Sequence, residues 1–204
     1  MTTLAVETPH GQANVHLHTV ERPRGALVLG HGAGGGVSAP DLVAATKAAQ
    51  AEEFTVALVE QPYRVAGRRS PAPAKQLDAA WTVVVERLVG GDLRGLPFVT
   101  GGRSAGARVA CRTAAATGAV GVLCLAFPLQ PPRRSGSTQA PSRLPELDAV
   151  TVPVLVVQGT SDQFGMPPPG PTRTVAQVPG NHSLRSDQEA VRDAVQAWLA
   201  VLRR

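Results

Sequence analysis

The chain has 204 residues, 43% hydrophobic and only 3% aromatic, which suits a single domain over residues 1–204 with a core built from small and branched aliphatic side chains. Its net charge of +5 comes from arginines scattered along the whole chain, so the clustered basic residues and interleaved aromatics of a nucleic-acid binder are missing and no nucleic-acid partner is expected. Residues 1–20 carry no signal pattern and no apolar stretch approaches the roughly 20 residues needed to span a bilayer, so a cytoplasmic protein with no membrane association is expected.

Residues 3–8 and 13–19 alternate weakly and predict an antiparallel hairpin at one sheet edge. Residues 26–29 form a short apolar run that leads into Gly30-His31-Gly32-Ala33-Gly34-Gly35-Gly36. A second run, 55–59, is followed by Leu77, Trp81, Val84, Val85 and Leu88 at helical spacing. Strand 98–100 enters a glycine turn and then an Ala-rich helix that holds Cys111; strand 120–127 holds Cys124. Both thiols read as buried small hydrophobes and make neither a disulfide framework nor a metal site. Residues 129–145, rich in Pro, Arg and Ser, and 166–171, nearly all Pro and Gly, read as loops around strand 154–158. After strand 174–178, Ser186 three residues before Glu189 reads as a capping box that opens a last helix bearing Val191, Val195, Trp198, Leu199 and Leu202. Apolar runs alternating with amphipathic segments predict an α/β fold, a doubly wound and mostly parallel sheet.

Residues 96–110 pass from an apolar strand through Gly101-Gly102-Arg103-Ser104-Ala105-Gly106 into a helix, which is G-x-S-x-G in a strand–turn–helix setting. A serine on so tight a turn takes a strained backbone and tolerates only small residues two positions away, here Gly102 and Gly106. Its hydroxyl stands clear of the sheet, and the Ala105 N–H at the helix start points at an oxyanion formed on an attacked carbonyl. Taken by itself Ser104 also reads as a plain helix N-cap.

A serine nucleophile needs a base held in one tautomer by a third group. Asp162 follows strand 154–158 and His182 follows strand 174–178, so the chain order is Ser, Asp, His. Singly, Asp162 could cap a turn and His182 could be a surface histidine; His10, His16 and His18 lie too near the N-terminus to serve as base. In the loop after residues 26–29, the Ala33 N–H is assigned as second oxyanion donor with Gly34 as the fallback. His31 is expected among the substrate-binding residues, bracing this loop by hydrogen bonding rather than moving protons.

The segments His31-Gly32-Ala33-Gly34-Gly35, Gly101 to Gly106, Gln158-Gly159-Thr160-Ser161-Asp162 and Gly180-Asn181-His182-Ser183 resemble the α/β-hydrolase superfamily, in its dienelactone-hydrolase-like branch of small bacterial serine hydrolases. A related domain also occurs in a subunit of a eukaryotic chromatin-modifying complex. The resemblance implies the α/β-hydrolase fold and a Ser104–His182–Asp162 triad. Dienelactone hydrolases proper use cysteine where this chain has Ser104, which argues against that particular reaction. Pro-rich residues 166–171 leave no room for a helix between the last two strands, and the stretch after Phe127 is too short for a helical lid, so an open and shallow site is expected.

Arg64, Arg103, Arg133 and Arg134 follow strand ends, where ligands bind in doubly wound folds. Their convergence would suit an ester with a carboxylate or phosphate nearby; solvated surface charge is the plainer reading of Arg68, Arg69, Arg133 and Arg134. Gly30, Gly32 and Gly35 also match G-x-G-x-x-G with Glu60 ending the next strand, a dinucleotide-binding pattern that leaves Ser104, Asp162 and His182 without roles. A non-catalytic binding module on the same fold is the other alternative. The reading the sequence favours is a serine hydrolase, by default a carboxylesterase, acting on a small-molecule substrate through an acyl-enzyme, as monomer or homodimer, with no cofactor and no metal.

Overall fold

The computed structural model describes residues 1–131 and 140–202. Eight strands form one sheet: β1 (Thr2–Thr8), β2 (Gly11–His18), β3 (Gly25–Gly30), β4 (Phe54–Glu60), β5 (Phe98–Arg103), β6 (Gly121–Leu125), β7 (Val154–Gly159) and β8 (Arg173–Val178), in the spatial order β1-β2-β4-β3-β5-β6-β7-β8. β1 and β2 make the expected edge hairpin, β2 joins β4 antiparallel, and every other pairing is parallel. The helices are α1 (Pro40–Ala51), α2 (Pro62–Val65), α3 (Ala74–Gly90), α4 (Ala105–Thr117), α5 (Leu144–Asp148) and α6 (Gln188–Leu202).

The central strands are buried on both faces, which is why they read as unbroken apolar runs rather than alternating ones. Side chains still alternate between faces along each strand. Leu27, Leu29, Val99, Leu123 and Leu125 meet Leu42 of α1 and Val191, Val195 and Leu199 of α6 on one side. Ala26, Val28 and Val59 meet Trp81, Val84 and Leu88 of α3 on the other, where Ala107, Ala110 and Cys111 of α4 cover Val122, Cys124 and Val156. Trp81 and Leu88 are fully buried, and burial of such a side chain contributes about 1.5–3 kcal/mol.

Four details differ from the sequence reading, the first being that the strand read as 98–100 runs on through Gly101 and Gly102 to Arg103. Residues 129–145, read as loop, end in the short helix α5, which starts at Leu144 with Pro145 in its first turn. The strand at 120–127 is confined to Gly121–Leu125, because Ala126 turns to φ 50. The capping box is shifted: Asp187, not Ser186, caps α6, its Oδ1 accepting the Ala190 N–H at 2.9 Å. Residues 166–171 contain no helix, as their prolines require. Among the described residues, no helix is long and apolar enough to cross a membrane.

Candidate active site

Ser104 sits between β5 and α4 at φ 52 and ψ −106, a region non-glycine residues rarely occupy. Its N–H is held by the Leu125 carbonyl at 2.9 Å and its carbonyl receives the Arg108 N–H at 3.2 Å. The glycines around it answer to a close approach by β3: a Cβ on Gly102 or on Gly106 would lie 2.4 Å from the Gly30 carbonyl oxygen. This contact presses the loop after β3 against the serine turn.

His182 and Asp162 arrive from the ends of β8 and β7. Ser104 Oγ is 2.9 Å from His182 Nε2, and His182 Nδ1 is 2.8 Å from Asp162 Oδ2. A carboxylate can only accept, so Nδ1 carries the hydrogen and Nε2 is free to take the hydroxyl's. Asp162 is all but removed from water, with its side chain 1% exposed, and its lone pairs are satisfied: Oδ1 accepts the Phe164 N–H at 2.9 Å and Oδ2 the Gln158 amide at 2.8 Å. Phe164 then packs edge-on against the His182 ring, with centroids 4.4 Å apart. Gln158 was not singled out from the sequence. It is fully buried, and its amide nitrogen also faces the carbonyls of Phe127 and Gly165, so three acceptors fix which way the amide points.

The glycine loop is pinned by side chains. His31 is 2% exposed; its Nδ1 donates to the Gly32 carbonyl at 2.8 Å and its Nε2 accepts the Gln61 N–H at 3.1 Å. Burial pushes the His31 pKa below that of an ordinary histidine, against the opposing effect of its bond to Gly32. Gly32 O also receives the Gly35 N–H, and Tyr63 donates to the Ala33 carbonyl at 2.8 Å. In a planar trans peptide, C=O and N–H point in opposite directions, so anchoring Gly32 O sets the direction of the Ala33 N–H. Ala33, Ser104 and Ala105 line one cavity of about 270 Å³, whose walls do not include Gly34. His31 therefore braces the loop from behind and is not among the residues lining this cavity.

Two arginines expected near substrate are elsewhere. Arg103 Nε lies 3.0 Å from Asp41 Oδ2 on α1, and its Nη2 donates to the His182 carbonyl at 3.1 Å. Burial raises the Asp41 pKa above the usual carboxylate range, opposed by Arg103 and by the N–H groups of Leu42 and Asp41. Arg103 shares strand parity with Val99, so it projects to the α1 and α6 side, away from the cavity. Arg64 bonds within its own turn, to the Arg68 carbonyl at 3.3 Å, and is not on the cavity wall. Arg133 and Arg134 lie outside the described residues. The arginines that line the cavity with Ser104 are Arg108, Arg112 and Arg143, together with Leu77, Pro128 and Phe164. Burial would raise the Glu146 pKa, but the hydrogen bonds and charges of Arg108 and Arg112 outweigh it and hold that carboxyl below its usual range.

A wider recess of about 740 Å³ lies between α4 and α5, beyond Arg112, and contains none of Ser104, Asp162 or His182. Cys111 and Cys124 are both free and buried, with sulfurs 3.5 Å apart. Among the described residues no three His, Cys, Asp or Glu side chains are grouped as a metal site. The G-x-G-x-x-G reading requires a helix opening at the glycines, whereas α1 begins only at Pro40, and the loop faces Ser104 instead.

The profile of the family described as the alpha/beta hydrolase domain matches residues 23–198. Among solved structures, the chain is similar to Est1E from Butyrivibrio proteoclasticus, with TM-score 0.78 and 14% identity over 98% of each chain. It is also similar to a dienelactone hydrolase from Anabaena variabilis, with TM-score 0.73 and 15% identity over 98% of this chain and 94% of that one. A serine hydrolase without a lid from Xanthomonas campestris gives TM-score 0.71 and 18% identity over 97% and 94%. These similarities carry the fold, and no lid helix covers Ser104 among the described residues. No curated protein matches the chain.

Proposed function

The chain belongs to the alpha/beta hydrolase domain family, and from that premise we propose that it is a serine hydrolase that cleaves small carboxylic esters or related acyl bonds through Ser104, His182 and Asp162. The observation that carries this reading is the unbroken chain of hydrogen bonds from Ser104 Oγ through His182 to the buried Asp162, at 2.9 and 2.8 Å. Structural packing alone does not call for a serine at φ 52 with an imidazole on its hydroxyl.

In the proposed reaction His182 Nε2 takes the Ser104 proton as Oγ bonds to the substrate carbonyl carbon. The N–H groups of Ala105 and Ala33 receive the negative charge that develops on the carbonyl oxygen, with the start of α4 adding its dipole. Asp162 keeps His182 in the required tautomer and stabilises the imidazolium. Collapse of the tetrahedral intermediate breaks the bond to the leaving alcohol, which departs with the proton from His182. Water, deprotonated by the same imidazole, then attacks the acyl-enzyme and releases the acid. A cavity near 270 Å³ suits a short acyl group.

Hydrolysis of 4-nitrophenyl acetate and butyrate tests the reading. The wild-type protein turns both over, and Ser104→Ala lowers kcat/KM by about 10³-fold or more. Turnover that survives Ser104→Ala contradicts it.

A further inference from the structure

Three arginines line the cavity that holds Ser104, and the guanidinium groups of two of them are already occupied. Arg108 places Nε and Nη2 at 2.8 and 2.6 Å from the two oxygens of Glu146. Arg112 does the same with Asp78 at 2.8 and 2.6 Å, and its Nη1 is 3.4 Å from Glu146. In each pair a planar fork meets a planar carboxylate, the strongest and most directional use of arginine. Arg143 has no such partner. Nη1 donates to the Pro128 carbonyl at 2.9 Å, and no carboxylate among the described residues lies within 4.0 Å of its guanidinium. Residues 132–139, which precede it, contain neither Asp nor Glu.

We propose that Arg143 receives a carboxylate of the substrate, so that the preferred esters carry that group a few bonds from the scissile carbonyl. The proposal rests on the serine hydrolase reading above and names its substrate class. Around Ser104 three cations face the two carboxylates Asp78 and Glu146, which leaves one positive charge uncompensated on a half-buried side chain. A partly desolvated cation without a counter-ion is costly, and a ligand that supplies one recovers that cost. Ala33, Pro71, Ala72, Leu77 and Phe164 make the remaining wall largely apolar, so a charge pair formed there is screened less than in open water. The bond to Pro128 uses one of five N–H donors and steadies the guanidinium, with Nε and Nη2 left to form a fork.

Two pairs of substrates test this and separate the side of the ester that bears the carboxylate. The first is 4-nitrophenyl hydrogen glutarate against 4-nitrophenyl valerate; the second is 3-carboxyphenyl butyrate against phenyl butyrate. In at least one pair the wild-type kcat/KM favours the carboxylated ester by about tenfold or more, and Arg143→Gln removes about tenfold of that ratio. Arg143→Lys, which keeps the charge without the fork, retains part of it. Arg87→Gln, a surface control paired with Asp92, leaves the ratio unchanged. Glutarate binding to the Ser104→Ala protein, followed by calorimetry, weakens about tenfold when Arg143→Gln is added. Ester turnover through Ser104 with a ratio that Arg143→Gln does not move overturns the proposal while the hydrolase reading stands. Arg143-dependent glutarate binding without any ester turnover supports the anion site and removes the hydrolase reading.

Discussion

Arg103 and Asp41 form an ion pair at 3.0 Å in which the carboxylate is wholly buried, and the same guanidinium holds the backbone carbonyl of His182. The residue before Ser104 thus ties α1 on one face of the sheet to the segment that carries the imidazole. Its contribution to the site is through position: it touches neither Ser104 Oγ nor the cavity.

Removing the cation alone leaves Asp41 buried and unpaired, so Arg103→Met is expected to cost about 3–5 kcal/mol in urea unfolding. Replacing both partners, as Arg103→Met with Asp41→Leu, recovers most of that stability but not kcat/KM, because the His182 carbonyl still lacks its donor. Full recovery of activity in the double variant contradicts the positioning role.

Ser104 holds a conformation suited to glycine. Ser104→Gly is therefore expected to abolish hydrolysis and raise stability by about 1 kcal/mol, while Ser104→Ala, which keeps a Cβ, abolishes hydrolysis without the gain. Equal urea midpoints for the two variants contradict stored strain at this turn.

Gln158→Leu removes the amide from Asp162 Oδ2 but leaves the Phe164 N–H on Oδ1. A fall of about tenfold in kcat with little change in KM is expected, the pattern of a group that orients the triad rather than binds substrate. A rise in KM at constant kcat would assign it to the substrate pocket.

Burial lowers the His31 pKa in the folded protein relative to the unfolded chain. Below about pH 6.5 the unfolded state binds this proton and the folded state does not, so stability that is present above that pH declines as pH falls towards the lowered folded value. His31→Gln flattens this limb of a plot of urea midpoint against pH. It also lowers kcat, because Gly32 O keeps only the Gly35 N–H of the two donors that direct the Ala33 N–H. An unchanged pH dependence in the variant contradicts the neutral, buried assignment.

The strand rhythm and the convergence of Ser104, His182 and Asp162 at 2.9 and 2.8 Å were legible because each depends on local chemistry: apolar runs, a glycine-flanked serine, and an acid and a histidine immediately after strands. The arginines were not. Arg103 was read as a substrate clamp from its place in the turn, although its parity with Val99 sends it to the opposite face. Arg108 and Arg112 lie four residues apart on α4 and so share a face, but which face meets the cavity depends on how α4 packs beside α3 and α5. Arg143 lines the cavity from a segment whose N–H pairs with the Leu129 carbonyl beyond the end of β6, a long-range contact that no local pattern announces. Gln158 looked like the last residue of a strand, and its role emerges only once Phe127, Asp162 and Gly165 converge on it. Asp187 replaced Ser186 as helix cap because Ser186 packs against the Gly180 turn instead.

Labelling with a fluorophosphonate, followed by mass mapping of the modified peptide, tests the central claim most directly. The account predicts a single adduct on Ser104 of the native protein, absent in Ser104→Ala and strongly slowed in His182→Ala. No adduct on the native protein, or an adduct on a different serine, would contradict it.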